Sequence, residues 1–272
     1  MGADLRQLKK RIHSVESTRH ITRAMQLVSA SKMKRAAERL DRCRAYAGKL
    51  RQIFASADGT DFSAAKGAPP VYIVIAGDRG LAGGYNNAIY KAMAAQSCAN
   101  EAFLIPIGAR AVDYFTRHGY RIHGSFESVE NLSLRDTAEA ARALYREFCA
   151  GEIGEVYVLY TAFCTALTQQ VTQCRLFPPE PSGGEDSPVM TPPEPDAGTV
   201  FAAALPEYLT GCIFHAAAES YASELAARRN AMESATKNAG EMIDALNLSY
   251  NRARQGAITQ EITEIIGGAA EG

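Results

Sequence analysis

The sequence predicts an α/β protein: a long antiparallel coiled coil of the N- and C-terminal helices, plus a small three-layer α/β domain between them. Three observations predict it. All eleven prolines fall between Pro69 and Pro206, so both ends are free of helix breakers. Both ends carry apolar residues at helical spacing over fifty or more positions. The middle alternates short β-branched runs with stretches of helical pattern.

Residues 3 to 56 read as one helix. Leu5, Leu8, Ile12 and Val15 follow a 3/4 spacing, and Ile21, Met25 and Val28 resume it after a slip. Asp4 near the start suits the positive end of the helix dipole. At 1.5 Å per residue the helix spans roughly 75–80 Å, far beyond an ordinary globular helix. Residues 68–178 form the α/β domain. Val71–Ala76 is a buried strand, followed by a glycine-rich turn and a helix from Gly84 to Ser97. Phe103–Ile107 is a strand, Ala109–His118 a helix, Gly119–His123 a short strand and Ser133–Cys149 a helix. Val156–Thr161 and Leu167–Phe177 read as further strands, arranged as a hairpin. Residues 178–199 form an acidic loop holding seven of the prolines.

The last helix is expected from Leu205 to Gly267, with an apolar face through Leu225, Met232, Ala235, Ala239, Met242/Ile243, Leu246, Tyr250, Ala253, Ala257/Ile258, Ile262 and Ile265. Its many alanines let a partner helix approach closely, and its register drifts from strict heptads. At about 90 Å it outreaches any 150-residue domain, as does the first helix. Each must therefore bury its stripe largely against the other, so residues 1–60 and 205–272 form the two-helix shaft.

Charge is asymmetric beneath a formal net of −1. Met1–Arg51 holds fourteen Lys/Arg against four Asp/Glu, whereas Leu176–Ala227 holds eight carboxylates and no Lys or Arg. This polarity implies a charged partner. The basic segment lacks interleaved aromatics, so nucleic acid is not the expected one. Six scattered cysteines, several in apolar runs such as those around Cys164 and Cys212, read as buried free thiols. No run is long enough to span a membrane and the start lacks a signal-peptide core, so any membrane link runs through a partner.

Catalytic signatures are sparse. Gly77-Asp-Arg-Gly-Leu-Ala-Gly-Gly84 sits between a strand and a helix, where glycine turns can cradle phosphate. It matches neither dinucleotide nor P-loop spacing, and its structural reading is a tight turn with close packing. The five histidines form no metal motif, and no nucleophile elbow is present. No cofactor, metal or bound small molecule is expected.

Four segments carry a family resemblance. His20–Lys34 (HITRAMQLVSASKMK) resembles the "KITKAM…VAASKM" segment of F-type ATP synthase gamma subunits. Ala253–Ala270 resembles that family's "ARQAxITxEIxEIxxGA" terminus, Ser223–Ala239 its "SExAARMxAMxxATxNA" stretch, and Gly77–Asn86 its "SDRGLCGGxN" turn. They occur in the expected order and at the expected separations.

The resemblance implies a non-catalytic rotor: a shaft inside a hexamer of alternating alpha and beta subunits, its foot on a membrane ring of c subunits beside the epsilon subunit. It implies a peripheral location on the cytoplasmic side of a bacterial plasma membrane. A basic stripe including Arg23, Lys32, Lys34 and Arg35 would face carboxylates of the catalytic subunits. Met25, at the "KAM" methionine, would supply a flexible uncharged sliding surface. Arg228, Arg254, Gln255 and Thr259 match polar positions offered as hydrogen bonds to surrounding subunits. The apolar tip from Ile258 to Ile266, with Ile262 and Ile265, would turn in a hydrophobic collar. Three positions depart from the family pattern: Arg229 replaces its methionine, Gly256 an alanine and Ala82 a common cysteine.

Overall fold

The computed structural model describes residues 2–55, 67–98, 101–179 and 197–270. The proline-rich segment lies mostly outside them, at 180–196. In chain order the elements are α1 (Gly2–Ala55), β1 (Val71–Ile75), α2 (Tyr85–Ala94), β2 (Phe103–Ile107), α3 (Ala109–Arg117), β3 (Arg121–Ile122), α4 (Leu134–Cys149), β4 (Val156–Phe163), β5 (Gln169–Phe177) and α5 (Ala197–Ala270). Among the described residues, no helix is long and apolar enough to cross a membrane.

The five strands form one sheet in the order β3-β2-β1-β4-β5. β1 lies parallel to both β2 and β4, with Val71 opposite Phe103 on one side and Val156 on the other. β5 closes the edge antiparallel to β4, as the short hairpin connection requires. Alternation along β1 builds the layers. Val71, Ile73 and Ile75 enter a core shared with α4 and the start of α5, while Tyr72 and Val74 enter one shared with α2 and α3. Buried on both faces, β1 shows the unbroken apolar run expected of a central parallel strand. α4 begins where the sequence suggests, because Ser133 Oγ accepts from the Asp136 amide at 3.1 Å.

The chain divides into two compact units, Ala30–Arg228 and the pairing of Met1–Ser29 with Arg229–Gly272. Within the first, α5 is covered on nearly every side from Leu205 to Arg228. Leu205, Leu209, Cys212, Ile213 and Ala216 face the sheet core. Ala218, Ala222 and Leu225 pack on Ala36 and Leu40 of α1. A helix buried all round can carry few free charges, which explains why this stretch has no lysine or arginine before Arg228. Two of its carboxylates, Glu219 and Glu224, are themselves buried. Glu207 pairs with Arg142 at 3.2 Å. These three carboxylates are used within the chain, whereas the other five of the acidic segment lie outside the described residues.

Three expectations need correction. α5 starts at Ala197, ahead of Leu205, and holds Pro206 inside it. The backbone bond that proline cannot donate is outweighed by burial of Leu205, Tyr208 and Leu209, and the Pro206 carbonyl accepts from Thr210 Oγ1 at 2.7 Å. Cys164 is exposed, because it lies in the β4–β5 connection, and Cys149 is exposed at the end of α4; Cys212 is buried as expected.

The stripe of α1 does not slip either. Thr22 and Ser29 are buried, whereas Ile21 and Val28 are 60% and 57% exposed. Small hydroxyl residues suit a close helix seam because each bonds a carbonyl of its own helix: Thr22 to Arg19 at 3.1 Å and Ser29 to Met25 at 2.8 Å. Within the second unit the seam continues through Met232, Ala239 and Ile243, and Thr236 Oγ1 donates to Thr22 Oγ1 at 2.8 Å.

Candidate functional site

The glycine turn is filled by the chain's own groups. The Gly77 amide donates to Asn86 Oδ1 at 2.9 Å, and the Arg79 amide points to Glu224 Oε1 at 3.4 Å. Arg228 of α5 donates through Nη2 to the Arg79 carbonyl at 3.3 Å and through Nε to the Gly80 carbonyl at 3.3 Å. The same guanidinium forms a short ion pair with Glu224, one helical turn earlier. A Cβ at residue 77 would lie 2.8 Å from the Glu224 carboxyl carbon, so any larger residue there would have to displace this carboxylate. Amides that could cradle a phosphate thus already face a carboxylate and an amide oxygen. The packing reading of this turn holds, and a phosphate reading has no free donors to rest on at Gly77 and Arg79.

Asp78 ties the turn to the loop before α4. Its carboxylate accepts from the Val129 amide at 2.7 Å, the Glu130 amide at 3.1 Å and Ser128 Oγ at 2.9 Å. The Glu130 side chain then pairs with Lys32 of α1 at 2.7 Å. Arg39 of α1 donates to the Glu130 and Leu132 carbonyls at 3.2 and 3.1 Å. Tyr85, at the start of α2, donates to the Ser220 carbonyl of α5 at 2.9 Å.

The electrostatics of the two carboxylates differ. Burial pushes Glu224 above the usual carboxylate range, although Arg228 pulls the other way. The Lys32 hydrogen bond holds Glu130 below that range.

The sequence-derived candidates separate into two groups. Lys32 and Arg228 are engaged inside the chain. Arg228 is buried, so the outward hydrogen bonds expected of it are replaced by its bonds to the turn. Arg23, Lys34, Arg35, Arg254, Gln255 and Thr259 are exposed, and Met25 is half-buried. Thr259 Oγ1 bonds the Gln255 carbonyl of its own helix at 3.0 Å. Ile262 and Ile265 are 51% and 71% exposed. The structure therefore brings Lys32 and Arg228 into one polar network and leaves the others on helix surfaces. Sequence reasoning did not single out Asp78, Glu130 or Glu224. The i, i+4 spacing of Glu224 and Arg228 was the available signal, since it marks a helix ion pair. Among the described residues no cluster of three or more His, Cys, Asp or Glu side chains could hold a metal ion.

Comparison with known proteins agrees across the whole chain. Residues 4–271 match the family model described as ATP synthase. The ATP synthase gamma chain of Ruminococcus albus is 41% identical, over 97% of this chain and 96% of the relative. That of Pelotomaculum thermopropionicum is 40% identical, over 98% of each. Among solved structures, a chain of the Euglena gracilis mitochondrial ATP synthase aligns with a TM-score of 0.74 at 16% identity, covering 99% of this chain and 95% of that one. One from the Tetrahymena thermophila mitochondrial ATP synthase central stalk and c-ring aligns at 0.59 and 22% identity, covering 79% and 99%. A two-helix unit joined to a mixed five-stranded sheet, the ordered segment matches and full-length similarity near 40% all converge: this chain belongs to the ATP synthase gamma chain family.

Proposed function

We propose that the chain is the non-catalytic central-stalk rotor of an F-type ATP synthase, coupling ion-driven rotation to ATP synthesis or hydrolysis. The α1 and α5 segments of the second unit turn inside the alpha/beta hexamer. The sheet domain stands on the membrane c-subunit ring beside the epsilon subunit. The chain is peripheral to the membrane, on the cytoplasmic side of a bacterial plasma membrane, and itself binds no nucleotide.

The observation that carries this reading is the surface of the last turns of α5. Ile258, Ile262, Ile265 and Ile266 are exposed there together, an apolar band that a free-standing helix would not keep in water. A hydrophobic collar would cover it while allowing it to turn, because apolar contacts have no fixed direction. Exposed Arg23, Lys34 and Arg35 supply positive charge on α1. Solvent-exposed ion pairs are individually weak, about 0–1 kcal/mol, so they can exchange as the shaft rotates. Rotation then changes which face each catalytic site meets, and differential contact shifts that site between affinity states. Met25 and the polar Arg254, Gln255 and Thr259 lie among the residues offered to those contacts.

The test is reconstitution with alpha and beta subunits of a bacterial ATP synthase. The chain is expected to convert a weakly active mixture into a hexamer with steady ATPase activity, and a bead on the sheet domain is expected to rotate in one direction during hydrolysis. ATP binding or hydrolysis by the chain alone, without stimulation of the hexamer, would overturn the proposal.

A further inference from the structure

We infer that the network from Arg228 and Glu224 through the Gly77–Gly80 turn and Asp78 to Lys32 and Arg39 is a torque clasp, positioning both long helices against the sheet domain. The inference rests on the rotor reading and adds to it the residues that carry twist.

Four observations support it. The network touches both helices and the sheet domain at once. α5 contributes Ser220, Glu224 and Arg228, α1 contributes Lys32 and Arg39, and between them stand the β1–α2 turn, Tyr85 and the 128–130 loop. Its bonds are directional and several are charge-assisted, unlike the alanine contacts of Ala218 and Ala222 on Ala36. Small apolar contacts resist separation of two helices but oppose sliding and twisting weakly, whereas a fork such as the Arg228 guanidinium fixes orientation.

The network also falls at the chain ends of its unit. Arg228 is the last residue of Ala30–Arg228 and Lys32 the third, so in chain order each long helix leaves the sheet-bearing unit within one turn of a network residue. Torque between ring and hexamer has to pass through those positions of the chain. Finally, the core of the clasp is enclosed: Glu224 and Arg228 are both buried, which shields their pair from the salt and water that weaken surface pairs. A purely structural account explains the burial of Glu224. It gives no reason for the network to continue through Asp78 and Glu130 to a lysine on the other helix.

The test uses the reconstituted hexamer, fixed through its beta subunits. A bead is attached at Leu167→Cys, in the exposed β4–β5 connection, with the exposed Cys149 and Cys164 replaced by serine. Angular fluctuation of the bead during a nucleotide-locked pause reports torsional stiffness, since variance rises as stiffness falls. Glu224→Gln/Arg228→Gln removes the charged core without leaving an orphan charge, and Lys32→Gln releases the arm to α1. Both variants are expected to assemble and hydrolyse ATP at the wild-type rate. The double variant is expected to broaden the variance about two-fold, as for coupling carried by a contiguous network, and Lys32→Gln less.

Unchanged variance in both variants, with wild-type rotation intact, overturns the clasp and leaves the rotor reading standing. A wild-type complex that hydrolyses ATP without turning the bead overturns the rotor reading instead. Should the double variant fail to assemble, Lys32→Gln decides alone, because its partly exposed pair contributes little to folding.

Discussion

At the scale of single residues, the Glu224–Arg228 pair sets the sharpest expectations. Burial raises the Glu224 carboxyl even with the guanidinium against it, so desolvation outweighs the attraction. Removing one partner leaves the other uncompensated. Arg228→Met is expected to destabilise the chain by about 3–5 kcal/mol in urea unfolding, and adding Glu224→Gln should recover part of that loss. Glu130 behaves in the opposite sense. Lys32 lowers it below its ordinary value, so the stability it contributes is present above that value and is lost as pH falls through the depressed one. Lys32→Gln is therefore expected to move the acid limb of the stability profile to higher pH, read as the acid midpoint by circular dichroism. None of these partners was legible in the sequence beyond the Glu224–Arg228 spacing. Asp78 and Glu130 are 52 residues apart, and only the sheet brings them together.

Elements were far more legible than contacts. Every strand and middle helix lies within a few residues of its sequence-derived position, because β-branched runs and glycine punctuation are local signals. The failures came where tertiary burial overruled local chemistry. Pro206 marked a helix start by its own rules, yet the core around Leu205 and Leu209 holds helix on both sides of it. The stripe of α1 was read through its large residues, whereas the seam is built from Thr22, Ser29 and Ala36, and Ile21 and Val28 point away. Close approach is the reason small residues were selected there. Ala222, fully buried among Ala36, Leu40 and Leu225, is the position most sensitive to it. Ala222→Leu is expected to cost about 1–3 kcal/mol by overpacking, measured as a lowered melting temperature. A tolerated Ala222→Leu would mean that the helices can separate there without penalty.

At the scale of the whole molecule, apolar surface divides into what the chain covers and what it leaves open. Leu205 to Ala226 of α5 is covered by the sheet and α1, whereas Ile258, Ile262, Ile265 and Ile266 remain open. Hydrophobic spacing could not distinguish these cases, because both stretches share one helical pattern and differ only in which neighbours exist. The chain's own stability should therefore be indifferent to the open band. Ile262→Ser/Ile265→Ser is expected to leave the melting temperature of the isolated chain within about 2 °C, since exposed substitutions usually fall within about 0.5 kcal/mol each. The same double variant is expected to weaken assembly with the alpha/beta hexamer, read as a lower yield of complex at fixed subunit concentration. Each isoleucine that enters a collar loses apolar area on the order of 100 Å², so two of them together account for several kcal/mol of association. If the variant lowered the melting temperature without changing assembly, the band would be internal packing and the collar would have to be sought elsewhere on α5.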